Sequence, residues 1–165
     1  LANKGLSNEV GIHVFTYAPK HELLVRNYIK RLVNTPSDTY RIIERDMFKI
    51  FLDILDEKRV LNSVPSLEEK KGKDYLLTQL HKIATPEEFL AKMDYKPHER
   101  GDVLFLTGVG KVYPFMRASM LLDSMQQAFS DIPIVMFYPG EFNGQNLILF
   151  NKFHDRNYYR AFNLL

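Results

Sequence analysis

Apolar strands that alternate with amphipathic helices along these 165 residues predict an α/β protein. The expected architecture is a three-layer α/β/α sandwich with a mainly parallel central sheet, of P-loop or Rossmann-like topology but without a Walker A motif. Three observations carry this reading. "VGIHVFTYAP" (10–19) is β-branched and aromatic, and the chain then switches to helical period. "GDVLFLTGVG" (101–110) is an apolar strand entering a glycine turn that leads into a helix. "IPIVMFY" (132–138) is apolar on both faces, as a central strand of a parallel sheet must be.

The elements follow in order. Pro19 ends the first strand. Leu24, Tyr28 and Leu32, flanked by Val25, Ile29 and Val33, then form a broad helical stripe that "NTPSD" stops. "YRIIE" (40–44) reads as a short second strand. Residues 45–61 follow as a helix with Phe48, Phe51, Leu52 and Leu55 on one face. "NSVPSLEEKKGKD" (62–74) reads as a polar connection and "EEKKGK" as a solvated charge run. "DYLLTQLHKI" is a short helix. "TPEEFLAKM" starts another, with Thr85 as N-cap, Pro86 in the first position and Glu88 completing a capping box. Residues 111–131 are expected to form one helix, which places Pro114 in its first turn. "NLILF" (146–150) is a further strand, and "DRNYYRAFNLL" closes the chain as an aromatic element of open type. Residues 1–165 are expected to form a single α/β domain, with 62–100 as a helical insertion or connection.

Composition excludes several function classes. The net charge is only +2, residues 101–165 are formally neutral, and the excess in residues 1–100 is spread along helices instead of gathered into a basic stripe. There is no cysteine, which removes disulfides, cysteine-based zinc sites and thiol nucleophiles. No segment is long and apolar enough to span a bilayer. A cytoplasmic protein with no membrane partner is expected. The chain opens "LANKGLSNEV" without Met, as a fragment or a trimmed chain does.

Right-handed crossovers place the ends of consecutive parallel strands on one edge, where open α/β sheets bind ligands. Three loops are expected there: "TYAPKHE" (16–22), "TGVGKVYP" (107–114) and "YPGEFNGQ" (138–145). In the second, Gly108 and Gly110 free the backbone, Lys111 adds a cation, and Tyr113 and Arg117 follow. The pattern is only part of a phosphate-binding fingerprint, and a tight strand-to-helix turn explains the glycines more simply. Arg117 is a candidate clamp for an anion or a partner for Glu141. In the third loop Gly140, Glu141, Phe142, Asn143 and Gly144 are candidates for contact with a partner or ligand. Glu141 is its one carboxylate and Phe142 either tucks beneath it or forms a hot spot. Asn143 and Gln145 suit loop backbone bonding.

No catalytic set is legible. The five histidines lack metal-ligand spacing, the serines lack a nucleophile-elbow context, and no acidic cluster suggests magnesium. No cofactor or metal is expected. Basic and aromatic residues interleave in "DRNYYRAFNLL", but Tyr158, Tyr159 and Phe162 are equally what a terminal element needs to dock on a sheet.

The ordered set "NKGLSNEV", "LTGVG-VYP", "P-V-FYPGE-NGQ-L-LF" and "NYYRAF-LL" resembles the BrxB family, small inner-core proteins of the bacterial BREX phage-exclusion system. The resemblance covers most of the chain, with residues 62–100 alike only in helical character, and the family typically has a short helical stretch ahead of "NKGL". It implies phage defence without a known catalytic activity. It also implies work beside an alkaline-phosphatase-like protein (PglZ), a DNA methyltransferase (PglX) and an ATPase (BrxC), with PglZ as the expected direct partner. A non-enzymatic scaffold or adaptor is therefore the leading expectation. A degenerate nucleotide-binding domain using Gly108, Gly110, Lys111 and Arg117 is the first alternative. Nucleic-acid contact through the basic helices of residues 20–100 is the second.

Overall fold

The computed structural model describes residues 11–157 and 161–164. The chain runs β1 (Ile12–Tyr17), α1 (Glu22–Asn34), β2 (Arg41–Asp46), α2 (Met47–Glu57), α3 (Val64–Lys71), α4 (Lys73–Ile83), α5 (Pro86–Met93) and β3 (Asp102–Thr107). Then come α6 (Val109–Val112), α7 (Ala118–Ala128), β4 (Ile134–Phe142), β5 (Asn146–Leu149), β6 (Phe153–Asn157) and β7 (Ala161–Asn163). The α/β class expected from the sequence is present, on a mixed sheet. Its main path is β2-β3-β4-β1-β7. Along that path the pairings β2–β3, β3–β4, β1–β4 and β1–β7 run parallel. An antiparallel extension, β4–β5–β6, was not foreseen.

The strand order explains where the helices lie. From β1 to β2 the chain crosses the sheet in one direction, and from β2 to β3 to β4 it returns. Right-handed crossovers taken in opposite directions put their helices on opposite faces. Accordingly, among the described residues, α1 packs on one face, where its Val25 and Ile29 meet Phe105 and Phe137. The other face holds the larger core, in which α2, α4, α5, α6 and α7 bury residues such as Ile54, Leu80, Phe89, Val112 and Leu122.

Local chemistry sets the helix starts. Asp46 caps α2, its Oδ1 accepting from the amides of Phe48 at 2.9 Å and Lys49 at 3.1 Å. Thr85 caps α5 by accepting from the Glu88 amide. Residues 62–74 depart from the expected plain connection. Leu61–Ser63 form a 3₁₀ turn and α3 follows, because Val64 and Leu67 find the core while Pro65 sits harmlessly in the first turn. Gly72, at φ 83°, ends that helix.

The single helix expected over 111–131 is broken. The short α6 ends at Val112, Tyr113–Pro114 is a cis peptide, and α7 begins only at Ala118. Proline has no amide hydrogen to continue a helix, and Pro114 falls just past α6 instead of in a first turn. "YPGEFNGQ" is also mostly not a loop. β4 continues through Phe142 and pairs with β5, leaving Asn143–Gln145 as the turn. The closing segment contributes β6 and β7. Tyr158 and Tyr159 lie outside the described residues.

At the opposite, amino end of the parallel strands, Asp102 is buried under a set of donors. Arg41 reaches Oδ1 and Oδ2 at 2.8 Å each, Tyr95 Oη donates to Oδ2 at 2.8 Å, and the Glu99 amide donates to Oδ2 at 2.9 Å. The pair Arg41–Asp102 also joins β2 to β3 at the first residue of each strand.

Candidate functional site

The carboxyl edge of the sheet gathers the ends of β1, β2 and β3 around one small cleft. Tyr17, Glu22, Arg26, Glu44, Asp46 and Lys111 supply its polar wall, with Thr107 and Gly108 at the base. Tyr17 Oη donates to Glu22 Oε2 at 2.5 Å and Arg26 donates to Glu22 Oε1 at 2.9 Å. Burial, and then the bond to Glu22, push the Tyr17 phenol above its ordinary value, so it stays protonated as a donor. Thr107 Oγ1 donates to Glu44 Oε1 at 2.8 Å. Tyr17, Glu22 and Arg26 thus form one bonded set and Thr107 with Glu44 another, while Lys111 has no ion-pair partner among the described residues.

Two of the three expected loops meet here. "TYAPKHE" brings Tyr17 and Glu22, and "TGVGKVYP" brings Thr107, Gly108 and Lys111. The third, "YPGEFNGQ", leaves the edge as the β4–β5 hairpin, and only Phe137 just before it lines the cleft. Glu44 and Asp46 were missed as neighbours of the glycine turn. "ERD" before an apolar helical run signals an N-cap, but not which loop lies against the cap.

The phosphate-cradle geometry is not formed. Gly108 has φ 73°, and a Cβ there would collide with the Asp46 carboxylate and press on the Phe48 amide. The anion nearest this turn is thus the protein's own Asp46. α6, which follows, has only four residues, so its terminus offers little dipole. The cleft holds about 60 Å³, far below the roughly 300 Å³ at which small-molecule pockets begin. Gly110 serves packing, for its Cα faces the Phe150 ring and Pro139. Asp46→Ala should cost about 1–2 kcal/mol of stability through loss of the α2 cap, readable as a lowered urea midpoint.

Tyr113 and Arg117 lie elsewhere, beside Tyr138, Phe153 and His154 in a crevice of about 10 Å³, room for one water. Arg117 is exposed at the start of α7, and the expected Arg117–Glu141 ion pair is absent among the described residues. Glu141 points to solvent from β4, opposite Ile148. Phe142 is buried in the main core, 5% exposed, and so tucks beneath the hairpin instead of forming a surface hot spot. Asn143 Oδ1 accepts from the amides of Gln145 and Asn146, so it holds the turn. Gly144, at φ 88°, gives that turn its left-handed residue. No group of three or more potential metal ligands occurs among the described residues.

The cleft is thus lined by two small hydrogen-bonded sets and Lys111, with the β4–β5 hairpin beside it. The family model described as "BREX protein BrxB" matches residues 43–164. The chain belongs to the BrxB family. Similarity to curated BrxB proteins extends over the whole chain. The BREX protein BrxB of Bacillus cereus (strain H3081.97) is 39% identical over 170 residues, which span 99% of this chain and 88% of the relative. The BREX protein BrxB of Escherichia coli O9:H4 (strain HS) is 34% identical over 172 residues, spanning 100% of this chain and 83% of the relative. No solved structure matches the chain significantly. BrxB is a component of the bacterial BREX system, consistent with phage defence. Among the described residues no helix is long and apolar enough to cross a membrane.

Proposed function

We propose that this BrxB protein is a non-enzymatic scaffold or adaptor of a BREX complex, working in the cytoplasm through contact with a PglZ-type phosphatase-like protein. The observation that carries the reading is the Asp46 carboxylate seated against Gly108, where a nucleotide phosphate would need to lie. Three carboxylates, Glu22, Glu44 and Asp46, face two cations, Arg26 and Lys111, in the same cleft, which disfavours a polyanion. The reading treats the chain as a single α/β domain of three layers, its central sheet path parallel. Its β4–β5 hairpin, with exposed Glu141 and Asn143, offers a paired-strand surface to a partner.

Co-expression with the PglZ-type protein of the same system tests this. Co-elution at constant stoichiometry through size exclusion is expected, with no thermal shift on adding ATP or GTP. Failure to co-elute overturns the partner assignment. A nucleotide-dependent shift that Lys111→Ala abolishes overturns the adaptor reading in favour of a nucleotide site. Glu141→Arg, at an exposed position that leaves Phe142 in place, then reports whether the hairpin lies in the contact.

A further inference from the structure

α1 is a helix used on one side only. Val25 and Ile29 are its buried residues, facing the sheet. On the solvent side Leu23 is 66% exposed, Leu24 67% and Tyr28 50%, large values for three apolar residues within two turns. Leu24 and Tyr28 are one turn apart, so they share a face. The Arg31 guanidinium lies 5.8 Å from the Tyr28 ring centroid and extends that face. Lys30 falls two turns after Leu23 and is exposed, as is Lys20 ahead of the helix. The one carboxylate of α1, Glu22, is already engaged by Tyr17 and Arg26. An apolar centre is therefore bordered by cations that have no ion-pair partner among the described residues: Lys20, Lys30 and Arg31.

Resting on the adaptor reading, we propose that the solvent face of α1, centred on Leu24 and Tyr28, docks an amphipathic segment of the partner protein that carries carboxylates beside its apolar side chains. Charge selects this occupant. A second copy of the chain on a two-fold axis through Leu24 and Tyr28 would set Lys30 and Arg31 against the Lys20 end of its α1, where the one carboxylate, Glu22, is already engaged. A membrane surface calls for an apolar face along the length of a helix, and the exposed large apolar residues of α1 are confined to Leu23, Leu24 and Tyr28 in its first two turns. Nucleic acid would gain from the cations but nothing from Leu23 and Leu24. An acidic-rimmed apolar protein surface uses both parts of the patch.

The test measures binding of the full chain to the PglZ-type protein for the wild type, Leu23→Ser/Leu24→Ser and Lys30→Glu/Arg31→Glu. All of these positions are exposed, so thermal unfolding should be unchanged. The apolar pair should weaken binding by about 30-fold or more, as loss of a hot-spot cluster does. The charge reversal should slow association by about tenfold and flatten its salt dependence. If the wild type binds and both variants bind alike, the α1 proposal falls while the adaptor reading stands. If the wild type itself does not bind, the PglZ-type partner assignment falls and takes this proposal with it. A large loss of thermal stability in Leu23→Ser/Leu24→Ser would show the face to be covered within the chain and overturn the proposal. So would wild-type binding to phosphatidylserine vesicles that the same variant abolishes, with protein binding unaffected.

Discussion

Gly140→Ala should lower folding stability by about 3 kcal/mol, the upper range of overpacking in a closed interior, and shift the urea midpoint accordingly. Gly140 sits in β4, and a Cβ there would overlap the Ile148 carbonyl oxygen and also press on Ile148 C at 3.0 Å and Phe150 N at 3.1 Å. All three are backbone atoms, two in β5 and one in Phe150 just after it, so no rotamer change can relieve the clash. The strands must separate, and the Phe150 amide bond to the Pro139 carbonyl, 2.8 Å long, would go with them. The neighbouring Gly144→Ala is the contrast. Nothing lies within 4 Å of its added Cβ, and only its φ of 88° is costly, so about 1 kcal/mol is expected. Equal losses at both positions would show that the β4–β5 pairing does not bear on stability as described.

Asp102→Ala is expected to cost about 3 kcal/mol, at the low end for breaking a buried charged pair. The carboxylate side chain is 1% exposed, and its removal leaves Tyr95 Oη and the Glu99 amide without their acceptor. Arg41 is 47% exposed and can turn to water, which keeps the loss from being larger. The pair also fixes a pH dependence. The Arg41 hydrogen bonds chiefly, and then the Glu99 amide and Tyr95, hold the Asp102 carboxyl well below the usual carboxylate range, against the opposing effect of burial. A depressed folded-state pKa contributes stability that is present above the unfolded value and lost as pH falls toward the folded one. The wild type should therefore lose stability progressively below about pH 4. Asp102→Asn should lose less over the same interval, because it has no such proton to gain. Urea titrations at about pH 6 and about pH 3 measure the difference. Parallel slopes for the two proteins would remove Asp102 from the acid sensitivity.

These two positions bound the rigid frame at opposite ends of the sheet, Asp102 at the amino end of β3 and Gly140 in the extension of β4. α1 belongs to neither. Its surface substitutions should change binding with little effect on folding, so stability and recognition can be separated experimentally in this BrxB protein.

What was legible in the sequence follows from how far each signal reaches. Helical period, Thr85 before Pro86 and the apolar runs of β1, β3 and β4 depend on neighbours within about four residues, and these elements stand where expected. Two local errors had local causes. Pro114 fell at the end of a four-residue helix, so the long helix divides around it. "YPGEFNGQ" looked like a loop because glycine and proline are rare in strands, yet Pro139 and Gly140 are accommodated where β4 takes up its antiparallel partner.

The sequence by itself determined the α/β alternation, the lack of a legible catalytic set and, through its ordered motifs, the BrxB family. Only the tertiary structure decided that Asp46 lies against Gly108, that Phe142 is buried while Glu141 is not, and that α1 packs on Phe105 and Phe137, apart from the main core. Each of these rests on strand order and pairing across distances such as the 61 residues between Arg41 and Asp102. Such pairings are chosen by the packing of the whole sheet and its crossovers, a free energy that no short stretch of chain contains.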